Sequence, residues 1–476
     1  TNNTITQNGN GIYVSSGAPD LTITGNTLSG NGGTALRVNP NGIPAISGNT
    51  ISGNGNNGIV LDGVISQDAV WPVWDAPYYL SGGLTVSEGV TLTLEPGVIV
   101  KHSSQQIVIN GTLRAEGTPE QPIIFTSYRD DSAGGDTNGD GNASSPAPGD
   151  RYPLYFEPAS VNSLMNHVVL RYGGGYSNNN LQINTSSLAI SECLIENNGN
   201  YGIYIGSGSP TITGNTIQGH DYYGIYIAGT SAATITNNTI TQNGNGIYVS
   251  SNATEISIIG NTLCENNGYA IYTNSNILPL ISSNTIYGNS KNGVLVSGGY
   301  LSTSSTWENI NTPYILQNTL TVNEGITLTI EPGVIIKFDG LVTLAVNGTM
   351  NADGTPEQPV YFTSLKDDTV GGDTNGDGNA TSPAPGDWRF IQFASSSSGV
   401  LDNVGIRYGG CESGHYPYQL LVDTSSLTIS NCMIEYSRVY GLSLRDASPI
   451  ITNSAIRYNN SDGIRMEGSS SPTLTG

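Results

Sequence analysis

The chain has 476 residues, enough for a large core or a long array of repeats. Only 11% of them are charged, glycine alone supplies 62, and the formal net charge is −22. This balance excludes binding to nucleic-acid phosphates, which needs a basic patch, and favours cations as partners; no apolar run reaches the roughly 18 residues of a membrane span.

Residues 1–65 carry a short period. Asn3, Asn26 and Asn49 are spaced by 23, and Asn8, Asn31 and Asn54 form a second column at the same spacing. The apolar pieces "GIYV" (11–14) and "GIVL" (58–61) keep step. Each coil of about 23 residues therefore reads as short alternating strands between Asn and Gly turns, with Ile and Val on one face and Thr and Tyr on the other. Strands this short cannot bury an apolar face alone. Stacking coils at a strand spacing of about 4.7–4.9 Å buries a continuous core and pairs the backbone between coils. Asn at the bends is expected to take the left-handed conformation and to hydrogen-bond from coil to coil as a ladder. The opening "TNNTITQNGNG" stands in mid-pattern, as expected for a segment of a longer chain, so the lack of a leader says nothing about secretion.

Residues 66–180 diverge from this pattern but still alternate with period two between Gly and Pro turns. Glu95 and Lys101 bracket one strand, "LTLEPGVIVK", and are expected to mark its turn and its outer face. The stretch "GGDTNGDGNASSPAPGD" (134–150) is too polar and too rich in Gly and Pro for a core, and reads as an excursion from the wall. Within it Asp136, Asn138, Asp140 and Gly141 spell the D-x-N-x-D-G start of a calcium loop. Calcium takes six to eight oxygens, and carboxylates at alternate positions converge when Gly allows a sharp turn. Asn142 would add its backbone carbonyl. The bidentate Glu of the full motif is missing, since Ala147 stands there. Asp150, or Asp130 and Asp131 upstream, would substitute for it. Arg171 follows in "RYGG", at the end of a strand; a partner carboxylate or a stacked Tyr would give it a structural role.

The clear coils resume from 186, with "GIYI" at 202–205 and 224–227 and Asn columns at Asn215, Asn238, Asn261, Asn284 and at Asn243, Asn266, Asn289. The whole plan then repeats. Residues 1–16 are identical to 236–251, "TLTLEPGVIVK" (91–101) answers "TLTIEPGVIIK" (327–337), and Arg407 answers Arg171. The chain is thus two long units of about 237 residues, 1–235 and 236–476, expected to form one continuous solenoid. In the second unit the clear coils cover 236–300 and 425–476, and the divergent ones 303–415. The acidic loop returns as "GGDTNGDGNATSPAPGD" (371–387), with Asp373, Asn375, Asp377, Asn379 and Asp387, and Asp367 and Asp368 upstream. One calcium per loop is the expectation.

The "GNTIxxNxxxGIxV" pattern resembles the right-handed parallel β-helix repeat of pectate lyases, polygalacturonases, alginate epimerases and many bacterial surface proteins. The resemblance implies an all-β fold, a right-handed parallel β-helix (β-solenoid) with coils of about 23 residues. The divergent stretches resemble coils of the bacterial surface proteins. The enzymes of this family need acid, base and charge-stabilising groups clustered on the outer wall. Here no histidine recurs: His102 answers Phe338, His167 answers Asn403, His220 answers Asn459, and His415 lies in a variable loop. The expectation is therefore a non-enzymatic, calcium-stabilised rod or fibre, extracellular or at a cell surface, that associates with itself end to end or laterally. A glycan-binding stalk and a polysaccharide lyase, hydrolase or epimerase are the alternatives. A Thr-x-Thr face suited to ice, at 22–24, 211–213 and 234–236, breaks at Ser257-Ile258-Ile259. Cys193, Cys264, Cys411 and Cys432 lack metal spacing, but Cys411 and Cys432 lie about one coil apart and could bridge.

Overall fold

The computed structural model describes residues 1–15, 21–175, 179–185, 187–411 and 417–476; His415 lies outside them. Every regular element among the described residues is a β-strand. The strands form the turns of a parallel β-solenoid, about 20 in all, with coils of about 23 residues. By internal contacts the chain forms two compact units, Thr1–Tyr248 with Asn252–Thr262, and Val249–Ser251 with Leu263–Gly476.

In the first unit one turn is made by Leu188–Ser191, Leu194–Glu196 and Tyr201–Ile205, and each strand pairs in parallel with its counterpart one coil on. Register puts like on like: Ile190, Ile212, Ile235 and Ile258 form one inward column, and Ile195, Ile217 and Ile240 another. All are at most 1% exposed. Each contributes about 1.5–3 kcal/mol by leaving water. The outward positions carry Thr and Tyr, and Tyr204, Tyr226 and Tyr248 stack ring on ring, with centroids 5.6 and 4.5 Å apart. The divergent stretch is wall as well. Thr91–Leu94, Thr112–Glu116, Ser163–Asn166 and Leu188–Ser191 are consecutive rungs of one sheet. Unit two builds the same wall, with Val322, Val346, Phe393 and Val422 in one inward column.

The asparagines form ladders. The Oδ1 of Asn26 accepts from the N–H (3.0 Å) and the Nδ2 (3.1 Å) of Asn3, and Asn49 does the same for Asn26. Asn215, Asn238 and Asn261 repeat the arrangement at 2.9 Å, and each of the three also donates from Nδ2 to a strand carbonyl. An amide is both donor and acceptor, so one residue type can satisfy the buried bend from coil to coil. Where the first column ends, Asp75 accepts from the backbone N–H groups of Gly48 and Asn49 and from Asn49 Nδ2. A carboxylate suits that place because it only has to accept. The left-handed residue is not the ladder asparagine, as expected from sequence, but the one before it, for example Gly214 (φ 70°) and Asn237 (φ 56°). The bend must already be made when the amide points inward. All four cysteines are buried as thiols, and Cys411 and Cys432 form no disulfide.

Candidate metal centre

Each acidic loop leaves the wall after a strand, Ile123–Ser127 in the first unit and Val360–Ser364 in the second. The structure divides the candidate ligands into three groups. Asp130, 1% exposed, forms an ion pair with Arg171 (2.6 Å) and accepts from Thr126 Oγ1 (2.5 Å) and Ser132 Oγ (2.6 Å). Asp367 does the same with Arg407 (2.7 Å), Thr363 and Thr369. Burial raises the pKa of Asp130, but the hydroxyl bonds and the guanidinium outweigh it and hold the carboxyl below its usual range. Asp150 closes the far end of its loop. It accepts from Ser127 Oγ (2.8 Å) and the Ala147 N–H (3.0 Å), and Arg129 lies 2.9 Å away. Asp387 repeats this with Ser364, Ala384 and Lys366. These four carboxylates anchor the loop and are not brought to the acidic cluster.

The third group does converge. One carboxylate oxygen each of Asp131, Asp136 and Asp140 lie within 4.8 Å of one another, and those of Asp368, Asp373 and Asp377 match them. The local turn explains how. The Asp136 carboxylate accepts the N–H groups of Asp140 (3.2 Å) and Gly141 (3.0 Å), which curls the chain so that Asp140 returns beside it. Gly141 sits at φ 69°, a conformation that the sharp turn requires. Asn138 Nδ2 donates to Asp140 (2.9 Å) and Ser144 (3.0 Å), and Asn375 Nδ2 donates to Asp377 and Thr381. The Oδ1 atoms of Asp131, Asp368, Asn375 and Asp377 are shielded from solvent and accept no hydrogen bond. Burial, together with the neighbouring carboxylates, raises the pKa of Asp131 and of Asp368. Oxygen donors of concentrated negative charge, some with unused lone pairs, fit a hard divalent cation such as Ca²⁺. Asn142 and Asn379 lie at the exposed tips.

The loop is more than an excursion. It turns back across the outer wall to a coil about 80 positions earlier. There Asn57 Nδ2 donates to Asp136 O (2.9 Å) and the Asn57 N–H to Thr137 O (2.8 Å). In the second unit Asn292 makes the same two bonds, to Asp373 O (3.0 Å) and Thr374 O (2.7 Å). Asn57 also terminates the second asparagine column, accepting from the N–H and Nδ2 of Asn54. Lys101 and Lys337, expected on an exposed outer face, are fully buried. They do leave the wall outward, but the loop lies over them, and their Nζ atoms donate to Gly135 O (2.7 Å) and Gly372 O (2.8 Å). Burial lowers both lysines to about 8, against the pull of the nearby aspartates. Sequence reading passed over Asn57, Asn292 and the two lysines as site residues. Their only signal was that each recurs in both units.

Arg171 has the structural surroundings anticipated for it, between Asp130 and the Tyr172 ring (5.5 Å to its centre). His102 and His220 are buried, and His167 Nδ1 contacts Asn166 Oδ1 at 2.6 Å.

No curated protein matches the chain. Residues 63–141 and 299–382 match the family described as pectate-lyase like beta helix domain, which takes in the first part of each acidic loop. Residues 1–70, 179–336 and 418–476, together more than half of the sequence, match the family described as right handed beta helix region. With inward isoleucine columns, parallel pairing from coil to coil and asparagine ladders at the bends, this chain belongs to the right-handed β-helix family.

Proposed function

We propose that this chain is a structural β-helix, part of an extracellular or cell-surface rod or fibre that associates with itself, and that one Ca²⁺ per acidic loop braces its wall. The carrying observation is the repeated strap. In both units three carboxylates gather at a loop whose backbone is bonded to the end of an asparagine column. Asp131, Asp136 and Asp140, with Asp368, Asp373 and Asp377, would hold the ions, and Asn138 and Asn375 would help to shape the sites. A bound cation would neutralise the like charges and make the strap costly to lift. The exterior supplies calcium at concentrations that suit modest, solvent-accessible loops.

Calorimetric titration of the full chain with CaCl₂ should find two sites. Saturation at 100 times the dissociation constant should stabilise each unit by about 2.7 kcal/mol. Asp136→Asn with Asp140→Asn, and the matching pair in the second loop, should each remove one site. Absence of binding in the wild type would refute the calcium part. Electron microscopy with and without chelator tests the fibre: short isolated particles in both conditions would refute it.

The pectate-lyase-like match supports a second reading, a polysaccharide-active enzyme. Release of unsaturated or reducing ends from a polysaccharide panel would establish it. The tyrosine strip of Tyr201, Tyr204, Tyr226 and Tyr248 supports a glycan-binding stalk, which a glycan array would test.

A further inference from the structure

The bases of the two acidic loops are built from different chemistry at three matched positions. His102, Arg151 and Asn180 stand in the first unit where Phe338, Trp388 and Gln419 stand in the second. The correspondence rests on shared partners. Arg151 Nε donates to Arg171 O (2.7 Å) as Trp388 Nε1 donates to Arg407 O (2.9 Å). Asn180 Nδ2 donates to Leu170 O (3.0 Å) as Gln419 Nε2 donates to Ile406 O (3.2 Å). Phe338 and Trp388 stack at 4.1 Å, an apolar plug.

The first unit has instead two fully buried basic side chains. Among the described residues Arg151 has no carboxylate partner: its guanidinium donates to Arg171 O, Tyr152 O and Asn180 Oδ1. His102 Nδ1 lies 3.0 Å from Gln105 O and so carries the proton, which leaves Nε2 shielded and without a hydrogen bond. Beyond Arg151, the charged groups around His102 are Lys101, whose ammonium is held by Gly135 O, and Asp150, which is bonded to Ser127 on the adjacent strand and paired with Arg129.

A second buried imidazole interrupts the asparagine column. His220 Nε2 donates to Ile195 O (3.1 Å), and Nδ1 accepts the Asn198 N–H (3.2 Å). Its counterpart Asn459 makes the matching bonds to Ile434 O and the Ser437 N–H without a titrating group. The charged residues flanking His220 are Asp221 and, on the neighbouring strand, Glu196, which is bonded to Gln218.

We infer that the first unit is acid-opened at the base of its loop and that the second is not. Protonating His102 sets a second cation against a buried guanidinium that has no counter-ion among the described residues. Protonating His220 removes the acceptor of the Asn198 N–H. The first event loosens what the first loop stands on, since His102 O accepts the Tyr128 N–H (3.1 Å) and Ser103 O the Tyr152 N–H (3.2 Å). The second acts beside it, next to Gly199, whose N–H shares Gly173 O with the N–H of Gly149 in the loop (3.4 and 2.7 Å). Burial pushes both histidines down to about 3, with Arg151 adding to the effect at His102. Their folded values lie below the ordinary 6.5, so the opened state binds more protons and stability falls as pH drops from about 6.5 towards 3. Each histidine shifts the local equilibrium about tenfold per pH unit, or about 100-fold at pH 4.5. The anchoring carboxylates Asp130 and Asp150 have matched partners in Asp367 and Asp387, so their acid response is common to both units. A solenoid permits one stretch to open while another holds.

The test is hydrogen exchange of the full chain with chelator present, near pH 7 and pH 4.5, corrected for intrinsic rates. Peptides over 99–103 and 128–152 are compared with 335–339 and 365–389. The first set should lose about 100-fold in protection, and the second set should stay within about threefold. Equal loss in the two sets overturns the inference. Installing the second unit's residues, His102→Phe, Arg151→Trp and Asn180→Gln with His220→Asn, should abolish the difference. Acid lability that persists in this variant, folded at neutral pH, also overturns it. Should the quadruple variant not fold, His220→Asn alone must restore acid protection over 194–205.

Discussion

Replacing Asn238 by alanine removes one rung from the middle of a ladder, and the cost can be worked from the contacts. Asn238 is 1% exposed. Its Oδ1 accepts from the N–H and Nδ2 of Asn215, and its Nδ2 donates to Ile212 O and Asn261 Oδ1, all at 2.9 Å. After truncation Asn215 Nδ2 keeps Ile190 O, and Asn261 Oδ1 keeps the backbone N–H of residue 238. The Asn215 N–H loses its acceptor and Ile212 O loses the side-chain donor, both in a buried setting. At about 1–3 kcal/mol for each stranded group, the loss is about 2–6 kcal/mol, with the vacated volume adding to it. Asn238→Asp should be worse at neutral pH, because it turns a carboxylate oxygen towards two acceptors, Ile212 O and Asn261 Oδ1. The same carboxylate is welcome at Asp75, where the column ends. Native-state hydrogen exchange over Thr211–Gln218 measures the local free energy. The exposed Asn252→Ala is the control and should change it by less than about 0.5 kcal/mol. An Asn238→Ala protein within about 0.5 kcal/mol of wild type would refute the ladder as a source of stability.

Other expectations follow from the loop. A Cβ at Gly139 would meet Asn54 O at 2.4 Å, and one at Gly376 would meet Asn289 O at 2.4 Å, both from left-handed backbone. Gly139→Ala and Gly376→Ala should therefore lift the loop off the wall, seen as faster exchange of the Asn57 and Asn292 amides and weaker calcium binding. Asp130→Asn removes the close carboxylate of Arg171, leaving Glu196 at 3.9 Å, and should cost about 3 kcal/mol, as should Asp367→Asn with Arg407; urea unfolding of each unit checks it. All four thiols are buried, and burial pushes Cys193 and Cys432 up to about 12. They should react with a disulfide reagent only on unfolding, and rapid labelling of the native chain would contradict the buried columns.

Much of the wall was legible because its signals are periodic. An isoleucine every coil, an asparagine every 23 residues and a loop repeated almost letter for letter declare themselves without long-range information. The candidate site was legible only as a set of aspartates. Asp130 and Asp131 are neighbours in sequence and equivalent in chemistry. One is taken by Arg171, 41 positions later, and the other is left to the acidic cluster. Alternation predicted the outward direction of Lys101, but it could not predict that the loop would fold over the lysine and bury it.

By itself, then, the sequence determined the coil, the inward columns, the polar ladders and the twofold plan, because each follows from side chains that meet their own kind one turn away. Only the tertiary structure decided where the loop lands, which carboxylates remain for a cation, and that one loop base holds buried histidine and arginine where the other holds stacked aromatics. Those outcomes depend on residues 20 to 80 positions apart meeting across the wall. No local pattern encodes which of several equivalent charges finds its partner first.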